Sequence, residues 1–302
     1  MIIYPHINPI AISIGPVFGV GPLRVHWYGI MYLIGFAAAW TLARYRARQP
    51  GSTWSVLDVD DVIFYIAVGV IVGGRVGWCV FYGHDVIAEN WLNAFHIWDG
   101  GMSFHGGLTG VIIAGVLFAR TRKKAIPDVF DFMAPLPGIG LFAGRIGNFI
   151  NGELWGRPTD LPWGFGVPNG AGELVSRHPS QLYEATLEGI VLFLILWWYT
   201  SRPRPRLAPS GLFLLVYGCA RFTVEWVRLP DANIGYLAGD WLTMGMLLTT
   251  PMIVIGAALL VFAYRRKVAS GNSIGAEAGG AKSAGAGAAR GNSAGRDAGA
   301  KV

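Results

Sequence analysis

The sequence predicts an all-α polytopic membrane protein with about seven transmembrane helices and a small extracytoplasmic cap. Three observations carry this. Only 14% of the 302 residues are charged while 53% are hydrophobic, against about a quarter charged in ordinary soluble domains, and the mean hydropathy is +0.45. Seven apolar stretches approach the ~20 residues that cross the hydrocarbon core as a helix. The basic residues also alternate along the chain in the way membrane topology demands.

The seven stretches lie at 26–43, 62–82, 102–119, 128–149, 182–200, 210–228 and 238–264. Gly69, Gly73 and Gly77 recur four apart in the second, a spacing that lets helix backbones approach closely. Pro135 and Pro137 interrupt the fourth. Proline removes a helical hydrogen bond, and a broken span survives only where protein or a wet cavity satisfies the freed groups, so this one points to a site. Tryptophans such as Trp27, Trp91, Trp98, Trp163, Trp197 and Trp198 gather near span ends, as an interfacial belt.

The charge pattern sets orientation. Arg44, Arg46 and Arg48 follow the first span; Arg120, Arg122, Lys123 and Lys124 the third; Arg202, Arg204 and Arg206 the fifth; Arg265, Arg266 and Lys267 the seventh. Segments 83–99 and 229–237 carry no Lys or Arg, nor do the residues before Arg24. The positive-inside rule then puts the N-terminus outside and the C-terminus in the cytoplasm, which requires an odd number of spans. With no basic n-region before Arg24, a cleavable signal peptide is not expected. The membrane-embedded unit is expected over 1–267, with the outer cap at 150–181. Residues 268–302, mostly Ala, Gly and Ser with a few charges, are expected to be a disordered cytoplasmic tail.

The net charge of +6 is explained by this topology rather than by nucleic acid. Cys79 and Cys219, the two cysteines, both sit in apolar runs, which argues against a disulfide framework and a cysteine metal site. They read as core residues rather than nucleophiles. Over residues 1–267 no Gly-x-Ser-x-Gly elbow or metal-type His/Cys spacing is visible, and no metal or organic cofactor is implied.

Ionisable groups within spans cost about 2.5–3.5 kcal/mol each on insertion scales and need a reason. Here they are Arg75, His105, Arg145, Glu184, Glu188, Arg221 and Glu225. His105, Arg145, Asn148, Arg221 and Glu225, with Tyr28, all fall toward the outer ends of their spans. Tyr217, Arg221 and Glu225 share one helix face. The Arg221–Glu225 pair also reads as a self-neutralising i,i+4 contact, Glu184 and Glu188 read as structural, and Arg75 is open to either reading. Glycines after His105 make room for a ligand. The densest cluster is Gly144-Arg145-Ile146-Gly147-Asn148-Phe149-Ile150-Asn151-Gly152-Glu153-Leu154-Trp155-Gly156. A guanidinium offers a planar fork matched to phosphate, and near the outer headgroups that phosphate belongs to a phospholipid. An organic-anion transporter would need polar lining on the cytoplasmic half too, where Asp128 and Asp131 are the acidic residues in the fourth span. A non-catalytic scaffold would leave the intramembrane polar groups without a purpose.

That cluster resembles the prolipoprotein diacylglyceryl transferase family, whose signature Gly-Arg-x-Gly-Asn-Phe-x-Asn-x-Glu-x-x-Gly residues 144–156 match at every fixed position. Four further segments resemble the family as well. They are Arg24-Val25-His26-Trp27-Tyr28-Gly29, Gly100 through Gly107, Arg177 through Glu184, and Tyr217-Gly218-x-x-Arg221-x-x-x-Glu225, and the likeness spans 20–267. The resemblance implies a transferase of the bacterial plasma (inner) membrane. It would move the diacylglyceryl group of phosphatidylglycerol to the lipobox cysteine of a prolipoprotein, form a thioether and release glycerol phosphate. On that reading Arg145 and Arg221 stabilise the departing phosphate, and Asn148 and Glu153 serve the headgroup. Glu225 orients Arg221, Tyr28 and Tyr217 donate to phosphate or act as gates, and Gly156 belongs to the substrate-binding set. His105 is either the base for the thiol or a hydrogen-bond partner of the headgroup.

Overall fold

The computed structural model describes residues 1–16, 22–230 and 235–266; the tail expected at 268–302 lies outside them. The chain is mostly helical. Helix α1 spans Trp27–Ala47, α2 Val56–Phe81, α3 His84–Glu89, α4 Phe104–Thr121, α5 Ile126–Met133 and α6 Pro137–Ile150. A continuous helix, Ser180–Thr200, follows. It is built from α7 (Ser180–Glu184), a π-helical turn (Ala185–Val191) and α8 (Leu192–Thr200). Helix α9 spans Ala208–Glu225 and α10 Met244–Arg266.

Every apolar stretch picked out in the sequence falls on a helix. By length and apolarity α4, Ser180–Thr200 and α10 qualify as membrane spans among the described residues, and α5 with α6 forms a fourth bent by 50°. That bend falls where the two prolines predicted a break. Large apolar side chains such as Leu33, Phe64, Ile113, Leu194, Val254 and Val261 point outward. A water-soluble fold would bury these; a lipid-facing surface exposes them.

Two boundaries differ from expectation. Helix α2 starts at Val56 because Ser55 and Asp58 form a reciprocal capping box. Helix α10 starts at Met244 rather than near 238, with the Thr243 hydroxyl accepting from Met246 N at 3.2 Å. Short strands are also present, which an all-α reading does not contain. Strand β2 (Ile10–Ile14) pairs antiparallel with β3 (Leu23–His26). Strand β1 (Ile2–Ile3) pairs parallel with β4 (Phe165–Pro168), which pairs antiparallel with β5 (Leu174–Arg177). Strands of two to five residues carry too little alternation to register as a pattern.

The core lies at the helix ends that carry the basic residues. Trp54 stacks on Phe132 at 4.0 Å and on Phe118 at 5.7 Å, surrounded by Ala43, Val59, Val62, Ala119 and Val129. There the basic residues find local partners: Arg44 with Asp60 at 3.6 Å, Lys124 with Asp58 at 3.2 Å, and Arg122 with Asp61.

Helices α2 and α4 meet backbone to backbone. A Cβ on Gly110 would coincide with the Gly69 carbonyl oxygen, whereas one on Gly107 would meet only Val70 O, at an ordinary 3.7 Å. Gly110→Ala is therefore expected to lower stability in detergent by at least ~2 kcal/mol through overpacking, while Gly107→Ala leaves the melting transition within about 0.5 kcal/mol. Equal melting of the two variants would show that the helices part without cost.

Candidate active site: a buried arginine–glutamate cluster

Three elements converge on one cluster of charges. Helix α6, following the proline break, supplies Arg145 and Asn148. The helix Ser180–Thr200 supplies Glu184 at the end of α7 and Glu188 inside the π-helical turn. Helix α9 supplies Arg221 and Glu225, and Arg228 follows it. A π-helical turn is rare and tends to occur at functional sites.

Arg145 Nε lies 2.6 Å from Glu184 Oε2, and Arg145 Nη2 lies 3.8 Å from Glu188 Oε2. Arg221 reaches Glu225 Oε2 at 2.9 Å, Glu184 Oε2 at 3.6 Å and Glu188 Oε1 at 3.7 Å. Arg228 donates to Glu184 Oε1 and stands 3.7 Å from Glu225 Oε2. Thr243 donates to Glu225 Oε1 at 2.8 Å. Three guanidinium groups thus face three carboxylates, a formally neutral set. Buried charges are tolerable in this form and not singly.

The two signs are not equally sealed. Glu184 and Glu188 are 0% exposed, whereas the side chains of Arg145, Arg221 and Arg228 keep 22%, 15% and 13%. The arginine side chains are thus the part of this set that solvent reaches most.

The 144–156 signature extends the cluster outward. Arg145 Nη1 donates to Asn148 Oδ1 at 3.3 Å. Buried Asn148 in turn donates to Glu153 Oε1 at 2.7 Å, which Asn151 also reaches at 3.3 Å. Glu153 acts on Arg145 through Asn148 rather than directly. The turn 153–156 is strapped to the start of α7: Ser180 Oγ donates to Leu154 O at 2.6 Å, and Gln181 Nε2 donates to Glu153 O. Gly156 N donates to His178 O at 2.9 Å, and Arg157 N to Val227 O at 2.8 Å. A Cβ on Gly156 would collide with Val227 O and come within 2.9 Å of His178 Cβ. This glycine is a junction where three segments cross. Burial pushes the neighbouring His178 imidazole below the usual histidine range.

Tyr28, at the start of α1, lies against Gly147, where a Cβ would come within 2.9 Å of its ring, and its hydroxyl is 3.2 Å from that of Tyr32. It stands within electrostatic reach of Arg145 and Glu153. Tyr217 stacks on Phe213 at 5.9 Å and is within reach of Glu188, Arg221, Arg145 and Glu184.

His105 is placed differently. Its imidazole is exposed at the first turn of α4 and meets Phe104 edge-on at 5.6 Å. Among the described residues no contact ties it to the arginine cluster. Arg75 has a structural task. Its guanidinium donates to Ala94 O at 2.9 Å, Gly100 O at 2.5 Å, Gly101 O at 3.1 Å and Asn93 O, and lies over the Trp78 ring at 4.5 Å. It ties down the segment that leads into α4 and His105.

Glu184 and Glu188, read from sequence as structural, are the hub of the cluster. Arg228 was not picked out, although it continues the face of Tyr217, Arg221 and Glu225 one turn further. Asp128 and Asp131 are engaged elsewhere: Asp128 pairs with Arg206 at 2.6 Å, and Asp131 accepts from Leu207 N at 2.6 Å and Ser210 N at 3.0 Å to cap α9. That removes the acidic lining which a pathway to the other side would need.

A family model described as prolipoprotein diacylglyceryl transferase matches residues 16–262. Curated relatives named phosphatidylglycerol–prolipoprotein diacylglyceryl transferase include those of Coxiella burnetii strain RSA 331, Methylococcus capsulatus and Pseudomonas aeruginosa. The first is 55% identical over 88% of this chain and 99% of its own length. The second is 54% identical over 89% and 100%, and the third 52% identical over 89% and 98%.

Proposed function

We propose, from the premise that this chain belongs to the prolipoprotein diacylglyceryl transferase family, that the arginine–glutamate cluster is where its reaction takes place. The enzyme transfers the diacylglyceryl group of phosphatidylglycerol to prolipoproteins. The acceptor is the lipobox cysteine. Its sulfur attacks the glycerol carbon that carries the phosphate ester, a carbon–sulfur bond forms as the carbon–oxygen bond breaks, and glycerol phosphate leaves with the electron pair.

The observation that carries this reading is the unequal exposure of the cluster, its arginine side chains partly open and Glu184 and Glu188 sealed. Arg145 and Arg221 hold the phosphate and take up the charge that grows on the leaving oxygen, a contribution of several kcal/mol where donors are preorganised away from water. Asn148 adds a hydrogen bond to the headgroup and Glu153 fixes Asn148. Glu225 and Glu184 orient Arg221 and Arg145. Tyr217 and Tyr28 flank the phosphate, and Gly156 keeps the turn beside it closed.

The thiol must lose its proton to become a good nucleophile. His105 remains the candidate acceptor, since a neutral imidazole carries a ring nitrogen that can take a proton. As proton acceptor it acts on the peptide, approaching from the open side of α4. His105→Gln is then expected to cost about 10²-fold or more in turnover at pH 6 and much less where the substrate thiol is already ionised. A uniform loss across pH would assign it to headgroup binding.

For the whole chain the reading is seven spans over 1–267, with the N-terminus outside, the C-terminus in the cytoplasm of a bacterial inner membrane, and a cap at 150–181 containing β4 and β5. The decisive assay mixes purified protein in micelles with phosphatidylglycerol and a lipobox peptide and follows peptide mass. A gain of one diacylglyceryl group, lost when the peptide cysteine becomes serine, is expected. No gain from folded protein that binds phosphatidylglycerol would sink the assignment.

A further inference from the structure

Glu188 differs from the other two carboxylates of the cluster. Glu184 takes Arg145 at 2.6 Å and Arg228, and Glu225 takes Thr243 at 2.8 Å and Arg221 at 2.9 Å. Glu188 is as buried as Glu184, at 0% exposed, and neither of its oxygens has a hydrogen-bond partner, whereas Glu184 and Glu225 each lack one on Oε2 alone. Its nearest cations, Arg145 Nη2 at 3.8 Å and Arg221 Nη1 at 3.7 Å, stand beyond hydrogen-bond distance. These are the two arginines assigned to the phosphate. Glu188 holds them by charge alone, from inside the π-helical turn.

Three positive and three negative groups balance. Bringing in the singly negative headgroup of phosphatidylglycerol leaves the set one charge negative, beside carboxylates that are sealed from water. An uncompensated buried charge is strongly unfavourable. Arg145 and Arg221 turn toward the phosphate, and the carboxylate that loses most is the one they held least. Glu188 cannot move out to solvent, because it is sealed between α6 and α9.

We propose that Glu188 takes up a proton from solvent when the anionic headgroup binds, so that binding of phosphatidylglycerol is coupled to uptake of one proton. The proposal rests on the headgroup occupying the arginine cluster, as in the preceding subsection. The charged and titratable groups facing Glu188 from every side are Glu184 on its own helix, Arg145 on α6, Tyr217 and Arg221 on α9, and Arg228 beyond it. Glu184 is fixed by two guanidinium groups, whereas Glu188 has no hydrogen-bond partner. Glu188 is therefore the group free to accept. By linkage the sign follows: the bound state holds more protons, so affinity falls as pH rises through the coupled range.

The test uses the full chain in detergent. Phosphatidylglycerol is titrated calorimetrically at one pH in two buffers of different ionisation heat, and then across about pH 5–9 to trace the linkage. Uptake approaching one proton per headgroup is expected, with affinity falling up to tenfold per pH unit, while neutral phosphatidylcholine gives no uptake. Glu188→Gln, which keeps the shape and stays neutral, is expected to bind phosphatidylglycerol with no uptake and a flat pH profile. Binding to the unaltered chain without uptake at any pH would overturn the proposal and needs no variant. Full uptake retained in Glu188→Gln would overturn it too, by placing the proton elsewhere. Absence of phosphatidylglycerol binding altogether would instead overturn the assignment of the headgroup to the cluster.

Discussion

Arg145→Lys is expected to reduce diacylglyceryl transfer at least 100-fold while leaving the protein folded. Lysine keeps the positive charge that Glu184 and Glu188 require, so no buried carboxylate is stranded. What it loses is the fork. Arginine spans Glu184 through Nε and Asn148 through Nη1, which fixes the plane of the guanidinium beside the open face. A lysine ammonium is a single flexible point charge and cannot hold carboxylate, amide and phosphate together. Loss of one preorganised donor in such a setting costs about 2.7–4 kcal/mol, or 10²–10³ in rate. The check is kcat in the micelle assay beside the melting temperature. Turnover within tenfold of the unaltered enzyme, at unchanged melting, would show that charge alone suffices and that the planar geometry is incidental.

Glu184→Leu is expected to have the largest effect on stability, lowering it by about 3–5 kcal/mol. Glu184 is fully buried and takes Arg145 and Arg228 at once, with Arg221 at 3.6 Å. Leucine removes that charge and leaves three guanidinium groups facing two carboxylates. It also unties α6 from the segment after α9, because Glu184 is the common partner of Arg145 and Arg228. Thermal unfolding in detergent, followed by circular dichroism, reads this directly. A loss below about 1 kcal/mol would mean that water enters and solvates the arginines, and the cluster would then carry function without holding the helices.

Much of this molecule is legible in the sequence. The seven apolar stretches land on helices because length and hydropathy are summed over about twenty residues and tolerate local irregularity. The break at Pro135 and Pro137 is legible because proline acts through its own covalent structure. The convergence of Arg145, Asn148, Arg221 and Glu225 follows from helical spacing and depth. That Glu184 and Glu188 sit at the centre of the charges was not legible, since an i,i+4 acidic pair shows nothing of the three arginines that face it from other segments. The π-helical turn that holds Glu188 inserts extra backbone without a distinctive residue, so no pattern announces it. Arg228 was within reach of the same spacing argument that found Arg221. His105 is exposed on α4, and among the described residues no contact ties it to the charges. The short strands were missed for want of length.

Strand β1 has a consequence for how the chain is assembled during synthesis. Ile2 and Ile3 pair with Phe165 and Gly166, and Tyr4 donates to Phe149 O at 2.7 Å and Ile150 O at 2.9 Å, closing the end of α6. Ile2 and Ile3 thus wait for partners made about 160 residues later, which at about 5–20 residues per second is roughly ten to thirty seconds. Until then the N-terminal segment is an unpaired edge and the last carbonyls of α6 lack their cap. The signature after Arg145 can reach its final geometry only when the start and the middle of the chain have met, so the catalytic face is completed late, after most of its helices have been inserted.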